Sequence, residues 1–289
     1  MKRTLLTLLI IACSLEWTQA QTIHETITTQ TFTKIDASYA YDIEICKGES
    51  ESIELSCPER IRKYLDISVH NSTLRLKADP PRGFRLDNEE KIMVKVTMKE
   101  IKSINLSGAS SATSAAHFTT KEFDLSLSGA AEINDELCIH ADKFTYSLSG
   151  ASEAAVNGKF GIIRGHVSGS SELEIKGNST DIEISCSGAS NVTYSGEVKE
   201  KTNVICSGAS EVELEGSTSE IFIDCSGASE VDAQDMIAQT GSAIAGGASS
   251  IRIYGDKKLV LKSSGSSKIR YYGEAKELIQ PDNNIQRGK

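Results

Sequence analysis

The sequence predicts an all-β fold: a parallel β-solenoid built from coils of about 20 residues, with a strand-rich cap at its N-terminal end. Two observations lead to this prediction. A short Ser-Gly-Ala-Ser motif recurs at nearly constant spacing, and the segments between copies alternate apolar and polar residues with period two. Period two is typical of strands, and a fixed repeat of this length is typical of stacked coils.

The corner of each coil is predicted at a glycine that recurs at spacings of 18 to 21 residues. Serine precedes it in every copy but one, where Gly246 stands instead, and alanine or serine follows. Glycine adopts backbone conformations that a Cβ penalises, and serine hydroxyls hydrogen-bond locally, so the motif predicts a tight, stackable corner. The corner glycines are Gly108, Gly129, Gly150, Gly169, Gly188, Gly208, Gly227, Gly247 and Gly265.

A column of cysteines stands two residues before three of these glycines, at Cys186, Cys206 and Cys225. Leucine or valine holds this position in the earlier copies, which predicts buried free thiols that behave as small apolar groups. A nucleophile elbow is disfavoured, because it needs a strand-to-helix turn and a histidine nearby, and neither accompanies the repeat. Disulfides within the column are also not expected, because in-register side chains point in parallel.

An outward acidic column follows the corners, with Asn191 filling one of its places. Its simplest interpretation is a solvated face, since like charges one coil apart repel by only about 1 kcal/mol in water. The alternative is a stripe that collects Ca²⁺ or another divalent cation through oxygen ligands. The members of this candidate cation stripe are Glu132, Glu153, Glu172, Glu211 and Glu230.

The first 20 residues read as a signal peptide, with Lys2 and Arg3 before an apolar stretch too short to span a bilayer and cleavage after Ala20. The alternative is a bacterial lipobox, "IIAC", in which Cys13 becomes the lipid-anchored N-terminus. Both readings predict export. No second long apolar segment follows, so no transmembrane segment is expected.

The mature chain divides into four predicted parts: a short linker at 21–30, a strand-rich cap at 31–100, the repeat β-helix at 101–275 and a polar, frayed tail at 276–289. Within the cap, "YDIEICKGESESIELSC" predicts a hairpin around Gly48, and "PERIRKYLD" predicts one short helix after a proline. The cap is expected to block edge pairing at the first coil.

Composition argues against several functional classes. The net charge of −9 and the absence of a basic block argue against nucleic-acid binding. The five histidines are scattered, and only Arg164 and His166 stand together; Gly165 between them indicates a local bulge as readily as a site. Aromatic residues make up 6% of the chain without forming a column, which gives no support for glycan stacking. No cofactor is expected.

The chain resembles the putative autotransporter adhesin, head GIN domain family. The resemblance lies in "FTKIDASYAYDIEICKG", "LRLKAD", "IKSINLSGAS" and the serial "LSGAS" and "CSGASEV" corners, and it extends over about residues 31–275. It implies a right-handed, single-stranded β-helix of a kind abundant in exported proteins of Bacteroidetes. It implies no established chemistry.

The leading hypothesis is therefore a non-enzymatic, exported cell-envelope protein that serves as an adhesion or scaffold module. A carbohydrate-binding protein of the periplasm or cell surface is the second hypothesis, and a polysaccharide-active enzyme using Arg164 and His166 is the third. The expected partner is an unidentified surface ligand, either a glycan or a protein. The expected location is the cell surface, the outer membrane or the periplasm.

Overall fold

The structure, a computed structural model, describes residues 22–27, 30–87, 89–279 and 284–288. The predicted signal peptide, with its alternative lipid anchor at Cys13, lies outside these ranges. The elements before the repeat region are β1 (Thr22–Ile27), β2 (Lys34–Tyr39), β3 (Tyr41–Lys47), β4 (Ser52–Pro58), α1 (Glu59–Arg62), β5 (Leu65–His70), β6 (Thr73–Ala78) and β7 (Ile92–Met98).

In the part of the chain that the structure describes, strands are the only regular secondary structure of the repeat region. They are β8 (Ser103–Gly108), β9 (Ser111–Thr113), β10 (His117–Leu127), β11 (Glu132–Ile133), β12 (Leu137–Leu148), β13 (Glu153–Val167), β14 (Glu172–Cys186), β15 (Asn191–Cys206), β16 (Glu211–Cys225), β17 (Glu230–Ala245), β18 (Ser250–Tyr254), β19 (Lys258–Ser263), β20 (Lys268–Tyr272), β21 (Glu277–Ile279) and β22 (Ile285–Arg287).

Each coil pairs in parallel with the next, and the corners stay in register. Strand β14, for example, pairs with β13 on one side and β15 on the other, so that Cys186 faces Val167 and Cys206. We call the strand segment before a corner glycine the pre-corner arm and the segment after it the post-corner arm. This stacking of about nine turns confirms the predicted all-β parallel solenoid.

The corner glycines all lie in the left-handed region, with φ between 70° and 82°. Successive corners stack so closely that a Cβ on Gly188 would lie 2.7 Å from the carbonyl oxygen of Gly169. The second serine of the motif is buried and closes the corner: Ser190 Oγ donates to the Ser187 carbonyl oxygen at 3.0 Å. Glycine is therefore required both by its φ value and by the close approach of the neighbouring backbone.

The core is a set of inward columns that run through the coils. Val192, Val212 and Val231 form one of them and are fully buried. A stacked aromatic pair lies further toward the N-terminus, where the ring centroids of Phe123 and Phe144 are 5.7 Å apart. Burial of each such side chain stabilises the fold by about 1.5–3 kcal/mol.

Gly165 lies in an uninterrupted strand, between Tyr146 of the preceding coil and Ile184 of the next. The local bulge, one of the two alternatives that Gly165 left open, is therefore not formed at this position. A Cβ on Gly165 would come within 2.5 Å of the Tyr146 ring, which fills the space that a side chain at residue 165 would otherwise occupy. Glycine is present here because of this close approach.

The solenoid begins one coil earlier than the glycine repeat indicates. Strands β2 and β3 form a coil of their own, with β2 in parallel register with β8 and β3 with β9. Tyr39, with φ 102°, occupies the corner position that Gly108 holds in the following coil. Part of the predicted cap is thus the first solenoid coil.

The rest of the cap is an insertion between this first coil and the second. The predicted hairpin around Gly48 is wrong: β7 lies between β3 and β4, parallel to β3 and antiparallel to β4. The four apolar residues assigned to one face of that hairpin are nevertheless all buried: Ile43, Ile45, Ile53 and Leu55. Residues 59–62 form the short helix, as expected.

Both ends differ from the sequence expectations. Residues 22–27, expected in a linker, form β1, which pairs antiparallel with β4. Past residue 275, β21 pairs with β19 and β22 with β20, so the expected frayed tail adds part of a further coil. No helix in the described ranges is long and apolar enough to cross a membrane.

Candidate functional site

The acidic column forms a straight ladder on the outer side of the post-corner arms. Glu132 pairs with Glu153, Glu153 with Glu172, and the ladder continues through Asn191 to Glu211 and Glu230. These side chains point outward because the alternating positions between them carry the inward valine and leucine columns. The result is a continuous outer surface, which we call the ladder face.

A second acidic row runs two residues further along the same arms, at Glu174, Glu213 and Asp232. Cations balance part of this charge. Lys176 Nζ lies 2.7 Å from Glu174 Oε1, and Arg252 Nη1 lies 2.8 Å from Asp232 Oδ2 and 3.0 Å from Glu230 Oε1.

The remaining ladder carboxylates have no cation within ion-pair distance among the described residues: Glu132, Glu153, Glu172, Glu211 and Glu213. Neighbouring rungs are about 4.8 Å apart, so their mutual repulsion is screened by water and salt. Within the described ranges, no group of three His, Cys, Asp or Glu side chains has the arrangement of a metal site. The cation stripe stays a prediction from the sequence.

The three column cysteines lie in the core as free thiols, with at most 3% of each residue exposed. Contact with the Cys206 thiol, together with burial, raises the pKa of Cys186 and likewise that of Cys225. Hydrogen bonds from these two thiols lower the pKa of Cys206 relative to theirs. No cationic side chain contributes to these shifts, and the thiols contact one another and the corner serines.

Arg164 and His166 lie on the outer side of the pre-corner arm, where each contacts the next coil. Arg164 Nε lies 3.4 Å from Glu183 Oε2, and His166 Nε2 lies 3.2 Å from Ser187 Oγ. Both side chains are thus used in contacts between adjacent coils. Among the described residues, Arg164 lies within ion-pair distance of one carboxylate, that of Glu183, whereas glycoside hydrolysis requires two carboxylates that face each other across a cleft.

Most of the chain matches one known protein family. The family described as "Putative auto-transporter adhesin, head GIN domain" matches residues 31–177 and 163–275, two overlapping stretches that together span 31–275. The chain belongs to this family. The match confirms the resemblance expected from the corner motifs.

Two solved structures of Parabacteroides proteins have the same fold. A putative adhesin from Parabacteroides merdae is 17% identical, with a TM-score of 0.61 over 90% of this chain and 97% of the other. A putative adhesin from Parabacteroides distasonis is 15% identical, with a TM-score of 0.61 over 93% and 98%. At these identities the similarity shows the fold alone. Among curated proteins, none matches the chain.

In this head GIN domain protein, a cleft of about 240 Å³ lies on the outer surface of the cap, across β1, β4, β7 and β3. Two cross-strand rows line it: His24, Ser56, Met93 and Asp42 in one, and Thr26, Glu54, Lys95 and Glu44 in the other. The Met93 side chain is 53% exposed in it. Lys95 Nζ lies 3.3 Å from Glu44 Oε1, and this contact raises the pKa of Lys95.

Sequence reasoning missed this cleft because it depends on strand order. β1 was assigned to a linker, and β7 was not expected between β3 and β4. The period-two alternation of "TIHETI", "SIELSC" and "IMVKV" identifies which residues face outward. It does not identify which strands are neighbours.

Proposed function

We propose that this protein is a non-enzymatic adhesion module of the cell envelope, exported by its N-terminal signal sequence. The observation that carries the proposal is the ladder face. Ten in-register positions run from Asp42 to Lys268 along the post-corner arms, a length of about 43 Å at strand spacing. Solenoids use extended surfaces of this kind to bind partners.

The rigidity of the surface supports binding rather than turnover. Every coil buries apolar columns and stacks its corners on those of its neighbours, so the backbone positions that carry the outward side chains are fixed relative to one another. A preorganised surface loses little conformational entropy when a ligand binds. The adhesin description of the family, and of the two structural relatives, agrees with this role.

The first test is the location of the protein on intact producing cells. A membrane-impermeant amine reagent followed by mass spectrometry should modify exposed lysines such as Lys121, Lys199 and Lys257 as extensively as those of known outer-leaflet proteins. Modification only after lysis would contradict the adhesin function, because a periplasmic protein cannot contact an external surface.

The second test is attachment. Cells that lack the protein should adhere less to host-derived or microbial surfaces than wild-type cells, and purified mature protein should compete with wild-type attachment. An unrelated protein of similar size and net charge controls for non-specific coating. Equal attachment with and without the protein would contradict the proposal.

A further inference from the structure

The ladder face changes its charge in its last coils. Along the first row, Glu230 is followed by Ser250 and then Lys268. Along the second row, Asp232 is followed by Arg252 and then Arg270. Residues 130–249 contain nineteen acidic and six basic side chains, whereas the described residues from 250 onward contain three acidic and eight basic ones. One end of an otherwise acidic surface is therefore basic.

Lys268 and Arg270, the last residues of the two rows, are available to a ligand. Arg252 is neutralised by Glu230 and Asp232, and it marks the boundary between the acidic and basic parts. Lys268 and Arg270, one coil further on, are exposed and make no ion pair with any residue that the structure describes.

Two amide side chains lie beside these cations. Gln286 is in register with Arg270, and Asn284 precedes it on the same side of β22. Together with Lys268 and Arg270 they surround a cleft of about 190 Å³. Amides supply both donors and acceptors, so the cleft combines two positive charges with groups that can hydrogen-bond hydroxyls.

Two tyrosines continue this surface along the same arms. Tyr254 and Tyr272 are in register with each other, and each follows an arginine of the second row by two residues. Both are partly exposed, and the Gly288 backbone packs against one part of the Tyr272 ring. A hydrogen bond with Asp256 raises the pKa of Tyr254. The chain thus has a local aromatic pair, although aromatic residues are scarce overall.

We propose that these six residues, Lys268, Arg270, Asn284, Gln286, Tyr254 and Tyr272, form a binding site for an acidic polysaccharide, one that carries carboxylate or sulfate groups. We call them the terminal basic patch. The proposal rests on the adhesion function above, and it assigns a ligand class to the basic end of the ladder face only.

The chemistry of the patch suits such a ligand. A guanidinium binds a carboxylate or sulfate through two parallel hydrogen bonds, and the ammonium of Lys268 provides a second positive charge. The amides of Asn284 and Gln286 fit sugar hydroxyls. The tyrosine rings offer an apolar surface with a polar edge, which fits the faces of a sugar ring.

The acidic remainder of the ladder face defines how the polymer approaches. An anionic chain is repelled by the rungs from Glu132 to Glu230 and attracted to the last coils, so it binds at the end of the solenoid instead of lying along it. This arrangement leaves the N-terminal cap and its cleft free.

The test is calorimetric titration of the mature protein with three oligosaccharides: hexagalacturonate, a heparin hexasaccharide and a neutral dextran oligomer. Binding of one or both acidic oligomers, weakening as salt is raised, and no binding of dextran are expected. Preference for hexagalacturonate assigns carboxylate as the recognised group, and preference for heparin assigns sulfate. No binding of either acidic oligomer would overturn the proposal.

A matched pair of double variants locates the site. K268A/R270A should weaken binding about tenfold or more, because two charge-assisted contacts are lost. K262A/K276A removes the same charge from the same end, but Lys262 lies on the pre-corner arm and Lys276 in the following loop, so affinity should change less than twofold. Equal losses in the two variants would overturn the site and indicate non-specific attraction.

A third variant separates sugar recognition from simple charge. Y254A should weaken binding of the acidic hexasaccharide while leaving the weak binding of inorganic sulfate unchanged. An unchanged hexasaccharide affinity would contradict the tyrosine role. These measurements use purified protein, whereas the adhesion function is tested on cells, so failure of the patch leaves the surface-labelling and attachment results to be judged on their own.

Discussion

Tyr39 lies in register with Gly108, and its φ of 102° places a tyrosine in the left-handed backbone region that glycine occupies at the nine later corners. A Cβ on Gly108 would collide with the Tyr39 carbonyl oxygen, whereas no corner is paired with Tyr39 on its other side, where β6 pairs only with residues 34–37. The first corner therefore has space for a side chain. At Tyr39 the left-handed backbone has a conformational cost of about 1–2 kcal/mol. At the later corners a side chain would have this cost too, and its Cβ would also collide with the corner stacked beside it.

The stacked corners predict a strong position dependence for glycine-to-alanine substitutions. Gly188→Ala should lower the free energy of unfolding by about 2 kcal/mol or more, because the left-handed φ of 75° is strained and the new Cβ meets the Gly169 carbonyl. Gly246→Ala is the control: its Cβ would have no neighbour closer than 3.6 Å. It should be neutral or stabilising by up to about 1 kcal/mol. Denaturant unfolding followed by circular dichroism measures both, and equal effects would contradict the corner model.

Loss of the hydroxyl group should change the stability of the protein differently at two buried tyrosines, Tyr146 and Tyr194. The Tyr146 hydroxyl is buried and has no hydrogen-bond partner, and burial raises its pKa well above the usual value. The Tyr194 hydroxyl donates to the Gly177 carbonyl oxygen at 2.8 Å. Tyr146→Phe should therefore be neutral or stabilising, and Tyr194→Phe should destabilise by about 1 kcal/mol. Thermal unfolding of the two variants beside wild type tests this, and a larger loss for Tyr146→Phe would contradict it.

The sequence predicted the solenoid well because its corners obey a local rule. Positive φ and close stacking require glycine at each corner, and the second serine of the motif is buried in each corner where it occurs. The repeat can therefore be recognised from a single sequence. The first coil was missed because its corner residue is Tyr39 and not glycine. Tyrosine is tolerated there because β6, the neighbour on the other side of β2, pairs only with residues 34–37. The hairpin error has a different origin: strands β3 and β4 are adjacent in sequence, yet β7, about 40 residues later, separates them in space.

The terminal basic patch shows the same division between local and long-range information. That Lys268, Arg270 and Tyr272 share one face of a strand can be read from their spacing. Their proximity to Asn284 and Gln286 depends on β22 adding to the last coil, in a segment that sequence reasoning assigned to a frayed tail. The Tyr254–Tyr272 pair was missed because two positions are too few to register as a column.

Alkylation of the cysteines should divide them into two groups. Cys46 and Cys138 are partly exposed, and burial raises the pKa of each above its usual value, with a hydrogen bond from Cys46 to Glu44 adding to the effect. A raised pKa means that less thiolate is present near pH 8, so their labelling by iodoacetamide should continue to accelerate as the pH rises above the ordinary thiol pKa of about 8.5. The buried group, Cys57, Cys186, Cys206 and Cys225, should react only after unfolding. Mass spectrometry of labelled peptides separates the groups, and labelling of Cys206 in the folded protein would contradict the buried column.

The ladder carboxylates predict a salt-dependent gain in stability when one of them is neutralised. Glu211 is in register with Glu230 and has no ion-pair partner among the described residues, so Glu211→Gln removes repulsion and should stabilise by a few tenths of a kcal/mol at low salt.

Glu220 is the control, because Lys201 Nζ lies 3.2 Å from its Oε2 and Glu220→Gln should destabilise slightly. Both differences should vanish in 1 M salt, where the screening length falls to about 3 Å. Melting temperatures at 20 mM and 1 M NaCl measure this. A stabilisation by Glu211→Gln that persists in 1 M salt would mean that the gain comes from something other than charge repulsion along the ladder.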